Sequence, residues 1–412
     1  MSNRKYVILC PDGMADFPLG ELGGKTPLEY ADTPNMDNIA NKGITGLIKT
    51  IPDGCIPGSD IGSMSILGYD PVKYYTGRSP LEAASMGVEL GTKDVAFRLN
   101  FVNILGENGK RFMHDYSGGH ITTGEAMKII ETFQKELGSR HFRFYTGVSY
   151  RHLMVTDDIG INGLQTVPPH DIPDMQIDEF LPHGGASSDR ILDIMKKAEI
   201  ILKDHDVNKK RIASGKLPAN SIWLWGQGYK PSLPTMKEEY GIGGSVISAV
   251  DLVKGIGKYA GLRVINVPGA TGYLDTDYKG KTDYGMESLN SSDFVYIHVE
   301  ASDEASHEGS VKDKIKAIED FDRFIVGRVM EGLKKYNEFT IMILPDHYNP
   351  VKLKKHTPEP VPFCGFSTKM ENTDSRYRSD HYSEISAKDG GLFFNSGSLL
   401  FKAFLDSFER FT

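Results

Sequence analysis

The feature that most constrains the fold is a series of short apolar runs of strand length, separated in the C-terminal half by stretches of helical periodicity. The runs cover residues 6–10 (YVILC), 221–225 (SIWLW), 263–267 (RVINV), 294–299 (FVYIHV) and 340–344 (TIMIL). Residues 313–336 place apolar side chains on one helical face. Strands that alternate with helices predict an α/β fold with a largely parallel sheet covered by helices on both faces.

One long segment, residues 87–214, differs from the rest of the chain. It has aromatic and polar alternation, a proline-rich loop at 167–173 (VPPHDIP) and strand-like runs of its own at 141–145 and 152–155. We therefore predict a discontinuous core, residues 1–86 and 215–412, with a second α/β domain inserted at 87–214.

Charge, hydropathy and cysteine content indicate which kinds of partner the protein binds and in which cellular compartment it works. The net charge of −8, without a basic stripe, argues against nucleic acid. No stretch approaches the 18 apolar residues of a membrane span. The three cysteines show no CxxC spacing, which favours a reducing compartment, and we expect a cytoplasmic protein. The expected partner is a small molecule, and the sequence carries no signal for an oligomeric state.

Three of the apolar runs end in residues that bind metals. Because the carboxyl ends of parallel strands share one edge of a sheet, these side chains are expected to meet there. Carboxylates and imidazoles together suit two adjacent divalent cations, and they suit Mn²⁺ or Zn²⁺ better than Ca²⁺. The candidate ligands are Asp12, Asp303, His307, Asp346, His347 and His356.

A hydroxyl group for such a site is offered by residues 57–62 (PGSDIG), which are predicted to form a turn that leads into a helix. Ser59 stands at the start of that helix, where backbone N–H groups stabilise an anion such as a phosphoryl group. Beside a metal, a serine hydroxyl is a nucleophile at neutral pH. Ser63 and Ser65 are rivals for this role, and Ser59 has the alternative role of a helix cap.

Long stretches of the chain resemble the 2,3-bisphosphoglycerate-independent phosphoglycerate mutases of the archaeal type, in the alkaline phosphatase superfamily. The resemblance covers nearly the whole chain and includes PDGMAD, PGSDIGSMSILGYDP, YTGRSPLEAASMGVEL, HVEASDEASHEG and LPDHYNP. It implies an alkaline-phosphatase-like core with an inserted lid domain. It also implies two divalent metal ions, Mn²⁺ first with Mg²⁺, Zn²⁺ and Co²⁺ as alternatives, and no 2,3-bisphosphoglycerate.

The resemblance also implies a ligand set for each metal and a reaction. One metal would be held by Asp303, His307 and His356, and the other by Asp12, Ser59, Asp346 and His347. Ser59 would carry the phosphoryl group transiently while 3-phosphoglycerate is converted into 2-phosphoglycerate. Better-known bacterial members have a histidine shortly after the nucleophile, where this chain has Ser63.

Basic residues are expected to hold the substrate's carboxylate and phosphate groups. Arg151 is the first choice on the inserted domain, followed by His152, Arg143 and His120. Lys216 resembles a lysine that the family places beside the transferred phosphate. The inserted domain is expected to close on the core as a lid, because the phosphorylated serine must be protected from water.

Other readings of the same motifs stay open at this stage. A phosphatase, phosphodiesterase or sulfatase of the superfamily is one, although residues 55–59 match the sulfatase pattern only loosely. A homoserine kinase-like phosphotransferase is another, because GGHITTGEA and YTGVSYRHLMV resemble a bacterial branch of the family. A dinucleotide-binding protein is disfavoured, since residues 255–261 give only GxGxxxG and do not follow a strand.

Overall fold

We describe the protein from a computed structural model, which covers residues 4–370 and 375–411. In chain order its strands are β1 (Arg4–Pro11), β2 (Ile44–Ile48), β3 (Val95–Glu107), β4 (Lys110–Asp115), β5 (Phe142–Val148), β6 (Arg151–Thr156), β7 (Ser221–Tyr229), β8 (Gly244–Ile247), β9 (Arg263–Val264), β10 (Phe294–Val299), β11 (Glu338–Ile343), β12 (Val361–Ser367) and β13 (Phe393–Phe394).

The α-helices range from single turns to 17 residues. They are α1 (Pro27–Tyr30), α2 (Pro34–Lys42), α3 (Ser59–Ile66), α4 (Pro71–Tyr74), α5 (Arg78–Ser85), α6 (Thr123–Glu136), α7 (Ser188–Asp204), α8 (Asp206–Ala213), α9 (Met236–Tyr240), α10 (Asp251–Tyr259), α11 (Tyr278–Ser288), α12 (Ala301–Glu308), α13 (Val311–Phe321), α14 (Gly327–Leu333), α15 (Glu384–Asp389) and α16 (Gly397–Leu405). A π-helical turn, Asp322–Val326, joins α13 to α14, so the helix predicted at 313–336 is helical from Val311 to Leu333 with a π-helical turn in its middle.

The chain forms two compact units, and the larger one contains the described residues up to Tyr75 and from Ser232 onward. Its sheet has the strand order β13-β2-β12-β11-β1-β10-β8-β9. The strands from β11 to β9 are parallel neighbours, whereas β12 pairs antiparallel with both β11 and β2. The predicted largely parallel sheet is therefore confirmed, with an antiparallel strand toward one edge.

Helices cover both faces of this sheet, as predicted. Alternate residues of a strand point to opposite faces. On one face, Val7 and Leu9 of β1 share a buried apolar cluster with Phe321 of α13. On the other face, the Tyr6 ring contacts Phe404 of α16, with ring centroids 5.5 Å apart. Burial on both faces explains why the central strands are almost continuously apolar.

The smaller unit, Thr76–Pro231, has its own sheet and core. Its strands follow the order β4-β3-β6-β5, and β7 also pairs with β3. All of these pairings are antiparallel. The α6 and α7 helices pack on this sheet and share a buried apolar cluster with it that includes Phe101, Phe133, Met195 and Trp223.

The observed division of the chain differs from the boundaries at 87 and 214 that the sequence suggested. Residues 221–229, which the sequence assigns to the core, form β7 and pair with β3 from Val95 to Val102. The smaller unit also includes α5, because Ser79 of that helix donates to the Trp225 carbonyl and accepts from the Arg98 N–H. The cause is long-range strand pairing, which a local apolar pattern does not specify.

No helix in the described ranges combines the length and the apolar character that a membrane span requires.

The observed division gives a prediction that separates it from the boundaries drawn from the sequence. A fragment of residues 76–231 is expected to fold by itself and to melt cooperatively. A fragment of residues 87–214 is expected to stay unfolded, because it lacks β7 and with it the fully buried Trp223. Losing one such side chain costs about 3–5 kcal/mol, a large part of a domain's net stability. Circular dichroism during heating measures both, and a cooperative melt of the 87–214 fragment would contradict the prediction.

Candidate metal centre

Three neighbouring parallel strands of the larger unit, β11, β1 and β10, end beside one another, and a buried aspartate follows each. Asp12 comes directly after β1, Asp346 lies three residues beyond β11, and Asp303 lies in the first turn of α12, which follows β10. The Asp12 N–H donates to the Val299 carbonyl at 2.9 Å, which fixes the end of β1 against the end of β10. The sheet topology thus gathers residues that are as many as 334 positions apart in sequence.

Three histidines line the same cluster. The His347 Nε2 atom lies 3.3 Å from Asp12 Oδ1 and 3.6 Å from Asp346 Oδ2. His307 Nε2 lies 3.1 Å from Asp303 Oδ2, and His356 Nε2 lies 3.3 Å from Asp303 Oδ1. The rings of His347 and His356 stack with their centroids 3.9 Å apart, so the side chains around Asp303 adjoin those around Asp12.

Ser59 is the first residue of α3, and its hydroxyl lies at the cluster. It donates to Asp12 Oδ2 at 3.2 Å, and its Oγ lies 3.4 Å from His347 Nε2. The two rival serines are buried and engaged elsewhere: Ser63 Oγ lies 3.1 Å from the Tyr296 hydroxyl, and Ser65 donates to the Thr50 carbonyl. Of these three serines, Ser59 is therefore the one whose hydroxyl faces the acidic cluster.

The sequence predicts that the backbone N–H groups at the start of α3 are free to bind an anion, and the structure differs at one of them. The Ile61 N–H donates to Asp60 Oδ1 at 2.9 Å, and the Tyr75 hydroxyl donates to Asp60 Oδ2. A carboxylate of the chain itself thus uses one of the N–H groups at this helix end, which weakens the case for an anion held there by the backbone.

The buried carboxylates repel one another electrostatically. Burial and the negative charges of Asp346 and Asp303 raise the pKa of Asp12 well above its ordinary value. Burial also acts to raise the pKa of Asp303, but hydrogen bonds from His307 and His356 outweigh it and hold that pKa well below the usual range. The hydrogen bond to Asp303 raises the pKa of His307 to about 9. The cluster thus needs positive charge to keep its carboxylates ionised.

These residues fit divalent cations. Asp346 Oδ2 is buried and has no hydrogen-bond partner in the part of the chain that the structure describes, an arrangement that is costly unless another group compensates for it. Potential ligand atoms of Asp12, Asp346 and His347 all lie within 4.8 Å of one another, and so do those of Asp303, His347 and His356. Mixed carboxylate and imidazole donors suit Mn²⁺ and Zn²⁺.

Two glycines allow the backbone to approach the cluster closely. Gly13 has a φ of +60°, and a Cβ atom there would lie 2.3 Å from Asp303 Oδ1. Its N–H donates to Asp346 Oδ1 at 3.1 Å. A Cβ atom on Gly62 of α3 would lie 2.4 Å from the Asp346 carbonyl oxygen, so this glycine lets α3 pack directly against the loop after β11.

Sequence reasoning missed several residues that support the cluster. His298 and Glu300 belong to the acidic and histidine-rich stretch that begins at the end of β10, but no role followed from the sequence. Both are buried, and Glu300 binds the buried Lys281 of α11. Asn349 donates to Asp303 Oδ1 at 2.7 Å. Strand alternation places His298 and Glu300 on one face, which is a readable signal, whereas Lys281 had none.

The residues predicted to bind substrate lie in the smaller unit and do not form one cluster. His152 is buried against Phe101, and burial lowers its pKa to about 3, so its ring is neutral at physiological pH. Arg143 is paired with Asp94. His120, Arg151 and Lys216 are exposed, and Arg151 stacks on the ring of Tyr150.

The smaller unit gathers two arginines and a histidine around Trp225, an arrangement that the sequence did not reveal. The guanidinium carbons of Arg78 and Arg98 lie 5.5 and 5.2 Å from the Trp225 ring centre, and the His170 ring lies 5.4 Å from it. Arg98 is buried and paired with Glu82. Burial lowers the pKa of Arg98, and the charges of Arg78 and Arg151 lower it further. Arg151 therefore belongs to this positive region, whereas Arg143 is engaged elsewhere.

The chain is similar to known proteins along most of its length. The family model for 2,3-bisphosphoglycerate-independent phosphoglycerate mutase matches residues 40–208. A protein of that name from Methanosarcina barkeri is 53% identical over 390 residues, which cover 94% of this chain and 96% of the relative.

Two solved structures share the fold. A protein from Pyrococcus horikoshii has a TM-score of 0.81 at 31% identity, with 99% of this chain and 98% of that chain covered. The cofactor-independent phosphoglycerate mutase from Thermoplasma acidophilum has a TM-score of 0.66 at 26% identity, with 98% and 99% covered.

The close packing at Gly13 can be tested with a matched pair of substitutions. Gly13→Ala and Gly23→Ala both place alanine at a positive φ, which costs about 1–2 kcal/mol. A Cβ atom at Gly23 meets nothing within 4 Å, whereas one at Gly13 collides with Asp303. We expect Gly13→Ala alone to weaken Mn²⁺ binding, by about tenfold or more, because it displaces Asp303.

Calorimetric titration of chelator-treated protein with Mn²⁺ measures this affinity, and urea unfolding gives the stability of each variant. Equal Mn²⁺ affinities for Gly13→Ala and Gly23→Ala would show that Asp303 is not part of the metal centre.

Proposed function

The chain belongs to the 2,3-bisphosphoglycerate-independent phosphoglycerate mutases, and we propose that it interconverts 3-phosphoglycerate and 2-phosphoglycerate at the cluster of Asp12, Asp303 and Asp346. The observation that carries this proposal is the Ser59 hydroxyl, 3.2 Å from Asp12 Oδ2 and 3.4 Å from His347 Nε2. A serine beside a cation-binding cluster suits phosphoryl transfer through the enzyme. The names of the relatives do not favour the homoserine kinase alternative.

We propose two metal-binding sets within the cluster. One consists of Asp303, His307 and His356, and the other of Asp12, Ser59, Asp346 and His347. His347 adjoins both groups of potential ligand atoms, since it lies within 4.8 Å of each. Two divalent cations, with Mn²⁺ as the first candidate, would neutralise the carboxylates and withdraw charge from the phosphoryl oxygens.

Ser59 acts as the acceptor in the first half of the proposed reaction. Its hydroxyl proton points to Asp12 Oδ2, so Asp12 is the base nearest to that proton. The bond between phosphorus and the 3-oxygen of the substrate breaks, a bond between phosphorus and Ser59 Oγ forms, and the departing 3-oxygen gains a proton. In the second half the 2-hydroxyl of glycerate takes the phosphoryl group from Ser59, which regains its proton.

The intermediate glycerate must stay bound, because water would otherwise hydrolyse the phosphoserine and the enzyme would act as a phosphatase. A carboxylate is held best by guanidinium groups. We therefore propose that the exposed Arg151 binds the carboxylate of glycerate. His152, Arg143, His120 and Lys216 remain weaker candidates, since the first two are engaged within their own unit.

The enzyme is proposed to work in the cytoplasm. All three cysteines, Cys10, Cys55 and Cys364, are free thiols, as expected in a reducing compartment.

Replacing the proposed nucleophile should abolish the reaction. Ser59→Ala is expected to lower kcat on the order of 10⁴-fold or more, because a nucleophile and its activating groups act as a unit. Ser63→Ala is the matched control: it removes the hydrogen bond to Tyr296, costs about 1 kcal/mol of stability and leaves kcat within tenfold. Formation of 2-phosphoglycerate from 3-phosphoglycerate measures kcat.

Mass spectrometry after acid quenching supplies a second readout, because a phosphoryl group should be found on Ser59 of the wild type during turnover. Activity within tenfold of wild type in Ser59→Ala, together with a loss in Ser63→Ala, would identify Ser63 as the nucleophile instead.

Weaker binding of glycerate should cause part of the phosphoserine to be hydrolysed instead of passing its phosphoryl group back to glycerate. Arg151→Ala is expected to raise the ratio of free phosphate to 2-phosphoglycerate, because a poorly held glycerate leaves before the phosphoryl group returns to it. Arg190→Ala is the control in the same unit, since Arg190 is paired with Asp158. Parallel assays of phosphate and 2-phosphoglycerate give the ratio, and an unchanged ratio with lower turnover would assign Arg151 a structural role.

A further inference from the structure

A buried chain of hydrogen-bonded polar side chains lies next to the cluster. It contains none of the proposed metal ligands and not the proposed nucleophile. It starts at Lys281 of α11, passes through Glu300 and ends at His298, the fifth residue of β10. All three side chains are buried, with side-chain exposures of 0%, 3% and 0%. Buried charges are costly unless they are paired and hydrogen-bonded, so this chain needs a structural or functional reason.

Glu300 is held firmly from several directions. One carboxylate oxygen, Oε2, accepts from Lys281 Nζ at 2.7 Å. The other, Oε1, accepts from the Ser248 hydroxyl and the Ala249 N–H, each at 2.7 Å. Lys281 Nζ also donates to the His298 carbonyl at 3.2 Å, which ties the lysine to β10 itself. Glu300 is thus a fixed acceptor.

His298 lies between this fixed acceptor and the acidic cluster. Its Nδ1 atom lies 3.2 Å from Glu300 Oε1. Its Nε2 atom, on the other side of the ring, lies 3.4 Å from Asp12 Oδ2 and 3.6 Å from Asp346 Oδ2. Nε2 is buried and has no hydrogen-bond partner among the described residues, so it faces the two carboxylates without being bonded to either.

We propose that His298 is a positioning residue that holds Asp12 and Asp346 at the spacing in which both carboxylates bind the same cation. Carboxylate oxygens face both ring nitrogens, and ionised carboxylates only accept, so Nδ1 donates to Glu300 while the Nε2–H group is directed at Asp12 and Asp346. The Lys281–Glu300 pair fixes the ring. The arrangement reverses the usual support of a metal site, in which a carboxylate orients a ligating imidazole.

The inference rests on the proposed function in one respect: it takes Asp12 and Asp346 as ligands of a divalent cation. A rival reading makes His298 a ligand itself, because His298, Asp346 and Cys10 also form a group with potential ligand atoms within 4.8 Å of one another. The hydrogen-bond partner on Nδ1 does not separate the two readings, since a ligating ring also needs one. Binding stoichiometry does.

The test compares His298→Leu, which removes both donors, with His298→Gln, which keeps an amide donor near the position of Nε2. Chelator-treated full-length protein is titrated with Mn²⁺ alone, by calorimetry and by the signal of free Mn²⁺ in electron paramagnetic resonance. We expect His298→Leu to weaken one Mn²⁺ site by about 10–100-fold with the number of sites unchanged, and His298→Gln to recover part of that loss.

Thr340→Val serves as the control for a buried hydrogen bond lost elsewhere in the same sheet. Thr340 is fully buried in β11, and its hydroxyl lies within 3.2 Å of those of Ser367 and Ser407. It should lower stability without changing Mn²⁺ affinity. Should His298→Leu fail to fold, Glu300→Gln tests the same chain, since it removes the charge that fixes the ring and should weaken the same Mn²⁺ site.

Three outcomes would overturn the inference. A Mn²⁺ affinity of His298→Leu within twofold of wild type would show that His298 only fills space in the core and does not position the aspartates. Loss of one Mn²⁺ site, or of a directly bound nitrogen in pulsed electron paramagnetic resonance, would make it a ligand. A wild-type protein that binds no Mn²⁺ would remove the premise. A wild type that binds Mn²⁺ but does not interconvert the phosphoglycerates refutes the proposed function alone, because the titrations need no turnover.

Discussion

The burial of three aspartates at one edge of a parallel sheet is the constraint on which the rest of the structure depends. Asp12, Asp303 and Asp346 have relative exposures of 2%, 7% and 0%, and burial together with the charges of Asp346 and Asp303 raises the pKa of Asp12. Such a group of carboxylates is tolerable only where positive charge compensates for it. Divalent cations would supply that charge, so metal binding and the stability of the larger unit are expected to be coupled. The three carboxylates are contacted by the histidines, by the backbone at the glycines at 13 and 62, and by the chain through His298.

That these strand ends meet at one edge could be predicted from the sequence, because the information is local. A strand-length apolar run and the polar residue after it are adjacent in sequence, and parallel topology then places the ends of β11, β1 and β10 side by side. What it could not predict was the support from elsewhere in the chain. Lys281 lies in α11, Asn349 in the loop after β11, and nothing near either residue in the sequence indicates a bond to Glu300 or Asp303.

Strand pairing explains why the observed division of the chain does not follow from the local sequence. The run 221–225 has the same apolar character as the strands of the larger unit, and only its pairing with β3 places β7 in the smaller unit. The same limitation hid Arg98. Arg98 lies within β3 and is buried beside Glu82. From the sequence alone, an arginine within a strand is expected on the exposed face. The sequence suggests Arg143 as a substrate-binding residue, whereas the structure pairs it with Asp94, which is 49 positions away. No local pattern indicates that pairing.

The two units also differ in how they manage charge, and that difference bears on whether the enzyme transfers or hydrolyses. At the acidic edge, the buried Lys281 and Lys314 are each bound to a carboxylate of their own, Glu300 and Asp16. Positive charge there is therefore already used to hold the protein's own acids. A substrate with a carboxylate needs further cationic groups, and the smaller unit places the guanidinium groups of Arg78 and Arg98 within 5.5 Å of the Trp225 ring centre. If phosphoryl chemistry depends on one set of charges and retention of glycerate on another, substitutions can separate hydrolysis from isomerisation.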